Sequence, residues 1–143
     1  FLREKLITNY LVLYLLSFNY LHMTKYLKPF YPVWQEMTGK QFNEINKQRI
    51  KFYKLTFQNE NHRGFQYKTG LNIDTNKFIP MPWDTGLYFT EESLIIHWKD
   101  LYIQRNEQFS YKRHVIIPDD ARVYGCYDKI KVDKFILEDK EEL

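Results

Sequence analysis

Between Phe52 and Thr90 the chain carries three of its five glycines (Gly64, Gly70, Gly86) and two of its five prolines (Pro80, Pro82). That punctuation restricts the stretch to short elements joined by turns. In Lys51–Phe57 (KFYKLTF), Phe52, Lys54 and Thr56 alternate with Tyr53, Leu55 and Phe57, which is the pattern of a strand. Gln58–Gly64 is polar and turn-like. Phe65–Asp74, with Gly70 before Leu71, reads as a turn of helix or an extended piece. Pro80–Thr85 reads as an irregular loop and Gly86–Thr90 (GLYFT) as a short strand.

Upstream the pattern is different. Residues 3–27 read as one helix in which Leu6, Tyr10, Leu13 and Tyr14 recur at helical spacing, with Leu11, Val12, Leu15 and Leu16 making the other faces apolar too. A helix apolar all round is buried in protein or in a membrane. Asn9, Ser17, Asn19 and His22 interrupt the run, leaving it short of the ~18 apolar residues that a span needs. Arg3 and Lys5 give it a signal-like flank without a small-residue cleavage pattern. The first expectation is therefore a core or interface helix, with residues 6–22 seating a protein partner and membrane association ranked behind. With Phe1 in place of an initiator Met, the chain reads as a fragment or a processed form.

Pro29 and Pro32 break this segment, since each pushes its predecessor toward extended conformations. A second helix is expected from Val33 or Thr38 to Arg49, on the stripe Phe42, Ile45 and Arg49, weakened in its middle by Gly39. A third is expected from Glu91 to Tyr102, with Thr90 as N-cap and Glu91 and Glu92 in the first turn. Strands are expected at Phe109–Ile117, Arg122–Tyr124 and Lys134–Leu137, and Glu138–Leu143 reads as a frayed charged tail. The class these elements imply is α+β: N-terminal helices, then a small, mixed, mainly antiparallel sheet domain with one further helix. The expected division is a helical segment over 1–50 and an α+β domain over 51–143.

Aromatic residues make up 18% of the chain, enough for a compact core in one domain-sized unit of 143 residues. The net charge of +3 is uneven: residues 1–58 hold nine Lys/Arg against three Asp/Glu, and the remainder is acidic. The lone Cys126 excludes an intrachain disulfide and a cysteine-based metal site, and points to a reducing compartment rather than secretion. His22, His62, His97 and His114 are scattered without HxxxH or HExxH spacing, so no metal site is expected. The chain contains no P-loop, GxGxxG or GxSxG. Aromatic and basic residues interleave in Lys51-Phe52-Tyr53-Lys54 and Tyr111-Lys112-Arg113-His114, the combination that single-stranded nucleic acid needs. A pI near 8.8 ranks that reading third. His62, Tyr67, Trp83 and Tyr88 together would make an aromatic pocket with a polar edge.

Phe52-Tyr53-Lys54, His62, Gly64-Phe65, Tyr67-Lys68, Gly70-Leu71-Asn72 and Gly86–Thr90, followed by IIPDDARVY, make a pattern over about residues 51–137. It resembles a domain of unknown function from large DNA viruses of the mimivirus type, where it often stands before ankyrin repeats. The resemblance implies a giant-virus origin and a location in the host cytoplasm or virion. A more distant resemblance is to ADP-ribosyltransferases. It would make Tyr88 the residue stacked on the nicotinamide of NAD, put Lys54 or His62 near the early motif, and make Asp133 the late-strand carboxylate. This chain has no His-Gly pair, and has Asp where that family has Glu.

The reading with most support is a non-enzymatic domain for protein–protein interaction or virion structure, without a cofactor, binding through Lys54, Tyr67, Trp83 and Tyr88. An NAD-using transferase, or a relic of one, with His62, Tyr88 and Asp133 as its catalytic candidates, is the alternative.

Overall fold

The computed structural model describes residues 3–4, 29–47, 50–83 and 85–143. The apolar stretch 6–22, expected to be a partner-binding helix, lies outside the described residues. Among the described residues the elements run β1 (Glu36–Thr38), α1 (Gly39–Asn46), β2 (Phe52–Thr56), β3 (Asn61–His62), β4 (Phe65–Gln66), β5 (Gly70–Ile73) and β6 (Leu87–Glu91). A 3-10 turn (Glu92–Leu94) then leads into α2 (Ile95–Ile103), followed by β7 (Tyr111–Ile116), β8 (Arg122–Gly125), β9 (Ile130–Val132), β10 (Lys134–Leu137) and β11 (Glu141–Glu142).

Nine strands form one sheet in the order β1-β8-β9-β6-β2-β7-β10-β5, with β11 on β7, and β3 and β4 form a separate hairpin. Every pairing is antiparallel. The fold is therefore mostly β, which overturns the expected α+β class of leading helices and a small sheet. Among the described residues, eleven strands against two short α-helices decide it. Most of these strands are too short to show a period, and they are made by partners remote in sequence: β1 pairs with β8, Met37 opposite Val123.

The alternation in β2 sends successive residues to two cores. Phe52 joins Phe42, Phe89 and Phe135 in the larger one, while Tyr53 and Leu55 meet Ile95 and Phe109 under α2. Phe42 is 1% exposed and its ring lies 5.2 Å from that of Phe52, so α1 is anchored on the sheet by one aromatic plug. Thr38 caps α1 in a reciprocal capping box with Gln41. Gly39 is the first residue of this helix rather than a weak point in its middle. A Cβ there would run into the carbonyl oxygen of Pro118, and the Gly39 N–H donates to Ala121 O at 2.7 Å.

Two further expectations are corrected. Thr90 is not a helix cap: β6 continues through Glu91, and the Thr90 hydroxyl donates to Asp128 O at 3.0 Å. The C-terminal tail is paired rather than frayed, since Glu141 and Glu142 lie opposite Lys112 and Tyr111 and the Leu143 amide donates to Ser110 O.

Candidate functional site

The ladder between β2 and β6 is two pairs long, Phe52 with Glu91 and Tyr53 with Thr90. Beyond them the strands part. β2 continues on β7 alone, with Lys54 opposite Arg113, and β6 continues on β9 alone, with Tyr88 opposite Lys131. A pocket of about 600 Å³ occupies this split, lined by Tyr53–Leu55 of β2 and Leu87–Thr90 of β6. The β3–β4 hairpin supplies His62, Arg63 and Phe65, α2 supplies Trp98 and Tyr102, the turn after it supplies Arg105, and the β8–β9 turn supplies Asp128 and Lys129.

Of the residues singled out in the sequence, Lys54, His62, Tyr67, Trp83 and Tyr88 all line this pocket, and Asp133 does not. Asp133 Oδ1 instead accepts from the Arg122 amide at 2.8 Å, and its carbonyl accepts from the Asp74 amide. Asp74 and Asp128 are described carboxylates that do line the pocket, and sequence reading passes over both.

Lys54 is 8% exposed and its Nζ sits 4.5 Å from the centre of the Tyr67 ring. Burial, followed by the like charges of Lys129 and Arg63, lowers its pKa to about 7. His62 stacks on Phe57 with ring centres 5.1 Å apart. Burial, then Lys54 and Arg63, lowers its pKa to about 4, so the imidazole is neutral at physiological pH. Burial raises the Tyr67 phenol well above its ordinary value. Lys129 Nζ lies 4.5 Å over Tyr88, and burial lowers its proton affinity against the opposing pull of Asp128.

Asp128 is 1% exposed. The turn that carries it is held through its carbonyl, which accepts from Thr90 Oγ1 and from Trp98 Nε1 at 2.9 Å. Its side chain is less well served. Oδ2 lies 3.6 Å from His97 Nε2, and neither oxygen accepts a hydrogen bond from another residue. Burial raises its pKa to about 7, opposed by Lys129 and by its own backbone amide. Lys131, fully buried, donates to Ile79 O at 2.7 Å and to Met81 O, which fixes the loop leading to Trp83. The stem of Lys131 passes where a Cβ on Gly86 would stand, so glycine is required there by space.

The two basic–aromatic motifs part company in the fold. Tyr53 and Lys54 face the split. Arg113 does not line it and makes a two-point ion pair with the buried Glu60, at 2.7 and 2.8 Å, that braces β7 against the β2–β3 turn. Among the described residues no group of three or more His, Cys, Asp and Glu is placed to hold a metal ion. No described helix is long and apolar enough to cross a membrane. Cys126, fully buried with its thiol pKa raised to about 12 by burial, is a packing residue.

The chain is 33% identical over 95 residues to the "Uncharacterized protein R869" of Acanthamoeba polyphaga mimivirus, covering 62% of this chain and 69% of that protein. The chain belongs to the family of R869. Two further relatives from the same virus are the "Putative ankyrin repeat protein R868", 40% identical over 88 residues and 59% of this chain, and the "Putative ankyrin repeat protein R838", 32% identical over 91 residues and 57% of this chain. The chain spans 40% and 30% of the lengths of these two relatives. No family profile matches this member of the R869 family, and no solved structure matches it.

Proposed function

We propose that this chain is a non-enzymatic recognition domain of a giant-virus protein, and that the split-sheet pocket captures a ligand carrying an anionic group beside a flat ring. One observation carries the reading: Lys54, Arg63, Arg105 and Lys129 converge on a pocket walled by half-buried aromatic rings. Among the described residues no carboxylate lies within ion-pair distance of Lys54, Arg63 or Arg105. For Lys54, Arg63 and Arg105 an anionic ligand would supply the compensating negative charge. Two relatives are named for ankyrin repeats, and stacked repeats present extended binding surfaces, which suits a recognition role for this domain beside them.

Phenyl phosphate is the minimal probe. It should raise the unfolding temperature of the wild type, by the equivalent of about 2.7 kcal/mol at a hundredfold excess over Kd. It should stabilise Lys54→Met distinctly less at the same concentration. No stabilisation at low salt would overturn the reading. The transferase alternative retains Tyr88 and His62 in the pocket, but its late-strand carboxylate, Asp133, is elsewhere, so it would have to work through Asp128. Steady release of nicotinamide from NAD, lost in Tyr88→Ala, would replace a binding role with an enzymatic one.

A further inference from the structure

We infer that the ligand of this pocket is a single nucleoside phosphate unit, its base among the aromatic rings and its phosphate at Lys54, Arg63 and Lys129. This rests on the recognition reading above and narrows it to one chemical class.

Three features select the class. The first is size. A volume of about 600 Å³ is within the range of pockets that take a whole small ligand, so a base, a sugar and a phosphate have room together. The second is the wall. Phe65, Trp83, Tyr88, Trp98 and Tyr102 all line the pocket and are only half-buried, so their rings keep exposed surface. Base–aromatic stacking strengthens binding whatever the base, because every base has a flat face. The third is charge. Lys54 and Lys129 lie inside, and Arg63 and Arg105 are exposed. Lys129 and Arg63 are close enough to Lys54 to weaken its hold on a proton, Arg63 does the same to Lys129, and a phosphate dianion between them relieves that repulsion. Among the described lining residues Lys54, Arg63, Arg105 and Lys129 stand with Asp74 and Asp128, a positive formal balance that suits an anion.

A nucleoside monophosphate unit is presented either by a free nucleotide or by the phosphorylated end of a nucleic acid. The Tyr53-Lys54 step serves both, because it puts a ring and a cation at adjacent positions of the same split.

The test is calorimetric titration of the whole chain with the four 5′-monophosphates, the matching nucleosides, phenyl phosphate and NAD, at low salt. At least one monophosphate should bind about tenfold or more tightly than phenyl phosphate, which lacks the base and sugar, and than its own nucleoside, which lacks the charged group. Lys54→Met and the exposed Arg63→Gln should each weaken it by a similar factor, and Lys112→Met, outside the lining, should not. Arg63→Gln keeps the test decisive if Lys54→Met fails to fold. A 5′-phosphorylated oligonucleotide that outcompetes the free nucleotide identifies a nucleic-acid end as the source, and the reverse order identifies the free nucleotide. If phenyl phosphate binds as tightly as every nucleotide, the nucleotide inference falls and the recognition reading stands. If NAD binds more tightly than every monophosphate, the one-nucleotide size is wrong. If no probe binds, both fall.

Discussion

Replacing Asp128 with asparagine probes the floor of the pocket, because asparagine keeps the shape and removes only the ionisable oxygen. Burial raises the Asp128 pKa from 3.8 to about 7, with His97 3.6 Å away and Lys129 next in sequence as the charged or titratable groups that face it. The native state then holds a proton on Asp128 across a range in which the unfolded chain has lost it. Stability contributed by the protonated form is fully present below the unfolded pKa and is lost as pH rises through the folded one. The full loss is roughly 4 kcal/mol at 1.36 kcal/mol per unit, little discounted by solvent because the group is buried. Between pH 4.5 and pH 8, the wild type should therefore lose roughly 3 kcal/mol relative to Asp128→Asn, and the variant should be the more stable protein at pH 8. Other groups titrate in both proteins and cancel in the difference. Urea unfolding followed by tryptophan fluorescence at four pH values measures it, with equal slopes in denaturant as the control that the unfolded states match. A variant less stable than the wild type at pH 8 would refute the reasoning. That result would mean His97 holds the proton and Asp128 is the charged half of an ion pair that asparagine breaks.

Two other perturbations address the scaffold. Arg113→Met leaves the Glu60 carboxylate buried with Thr56 as its remaining side-chain partner, and should cost about 3–5 kcal/mol in urea unfolding, with part of it recovered in the double variant with Glu60→Gln. The Arg113 hydrogen bond is the main reason that the Glu60 pKa is lowered. The pair's stability is thus present above the unfolded carboxylate pKa and lost as pH falls through the folded one, so the gap between wild type and Arg113→Met should shrink on acidification. Lys131→Met strands the carbonyls of Ile79 and Met81 and should cost about 1–3 kcal/mol, while limited proteolysis should find cleavage near residues 79–83 faster than in the wild type.

What the sequence made legible depended on local signal. The alternation of Phe52-Tyr53-Lys54-Leu55 was readable because the strand packs on both faces and each residue has a definite side. The short strand at GLYFT was readable for its ring-rich, Gly-bounded pattern. β1 was not, because three residues carry no period and their partner begins at Arg122. Thr90 carries a genuine capping signature, yet its hydroxyl is claimed by Asp128 O across the sheet, and tertiary context outweighs a local preference. At the pocket, Lys54, His62, Tyr67, Trp83 and Tyr88 were named from one stretch rich in glycine and rings. Asp128, Lys129 and Arg105 come from segments that topology alone brings to it. A charged pair between the strands Arg122–Gly125 and Ile130–Val132 looks like an ordinary solvated turn. The hydrogen bonds from Thr90 and Trp98 to the Asp128 carbonyl draw that turn inward.

The split between β2 and β6 joins these observations. Strand edges that stop pairing are a liability, and a sheet built for stability alone would continue the ladder past Tyr53 and Thr90 or fill the gap with apolar side chains. Here the gap is roofed by the β3–β4 hairpin and by α2, and its walls hold Lys54 and Asp128. Keeping Lys54 charged in place costs roughly 5 kcal/mol more than in water, from the fall of its pKa from 10.5 to about 7. An acid and a base, each displaced toward neutrality by burial, line this pocket at an expense in stability. The expense is offset when an anion enters, because Lys54 then regains its proton beside a partner. Binding at pH 8 should accordingly take up protons, seen as a calorimetric heat that changes with the ionisation enthalpy of the buffer. In Lys54→Met that dependence should vanish, even if some affinity survives through Arg63 and Lys129. A wild-type heat that is the same in every buffer would show that Lys54 is not where the anion sits.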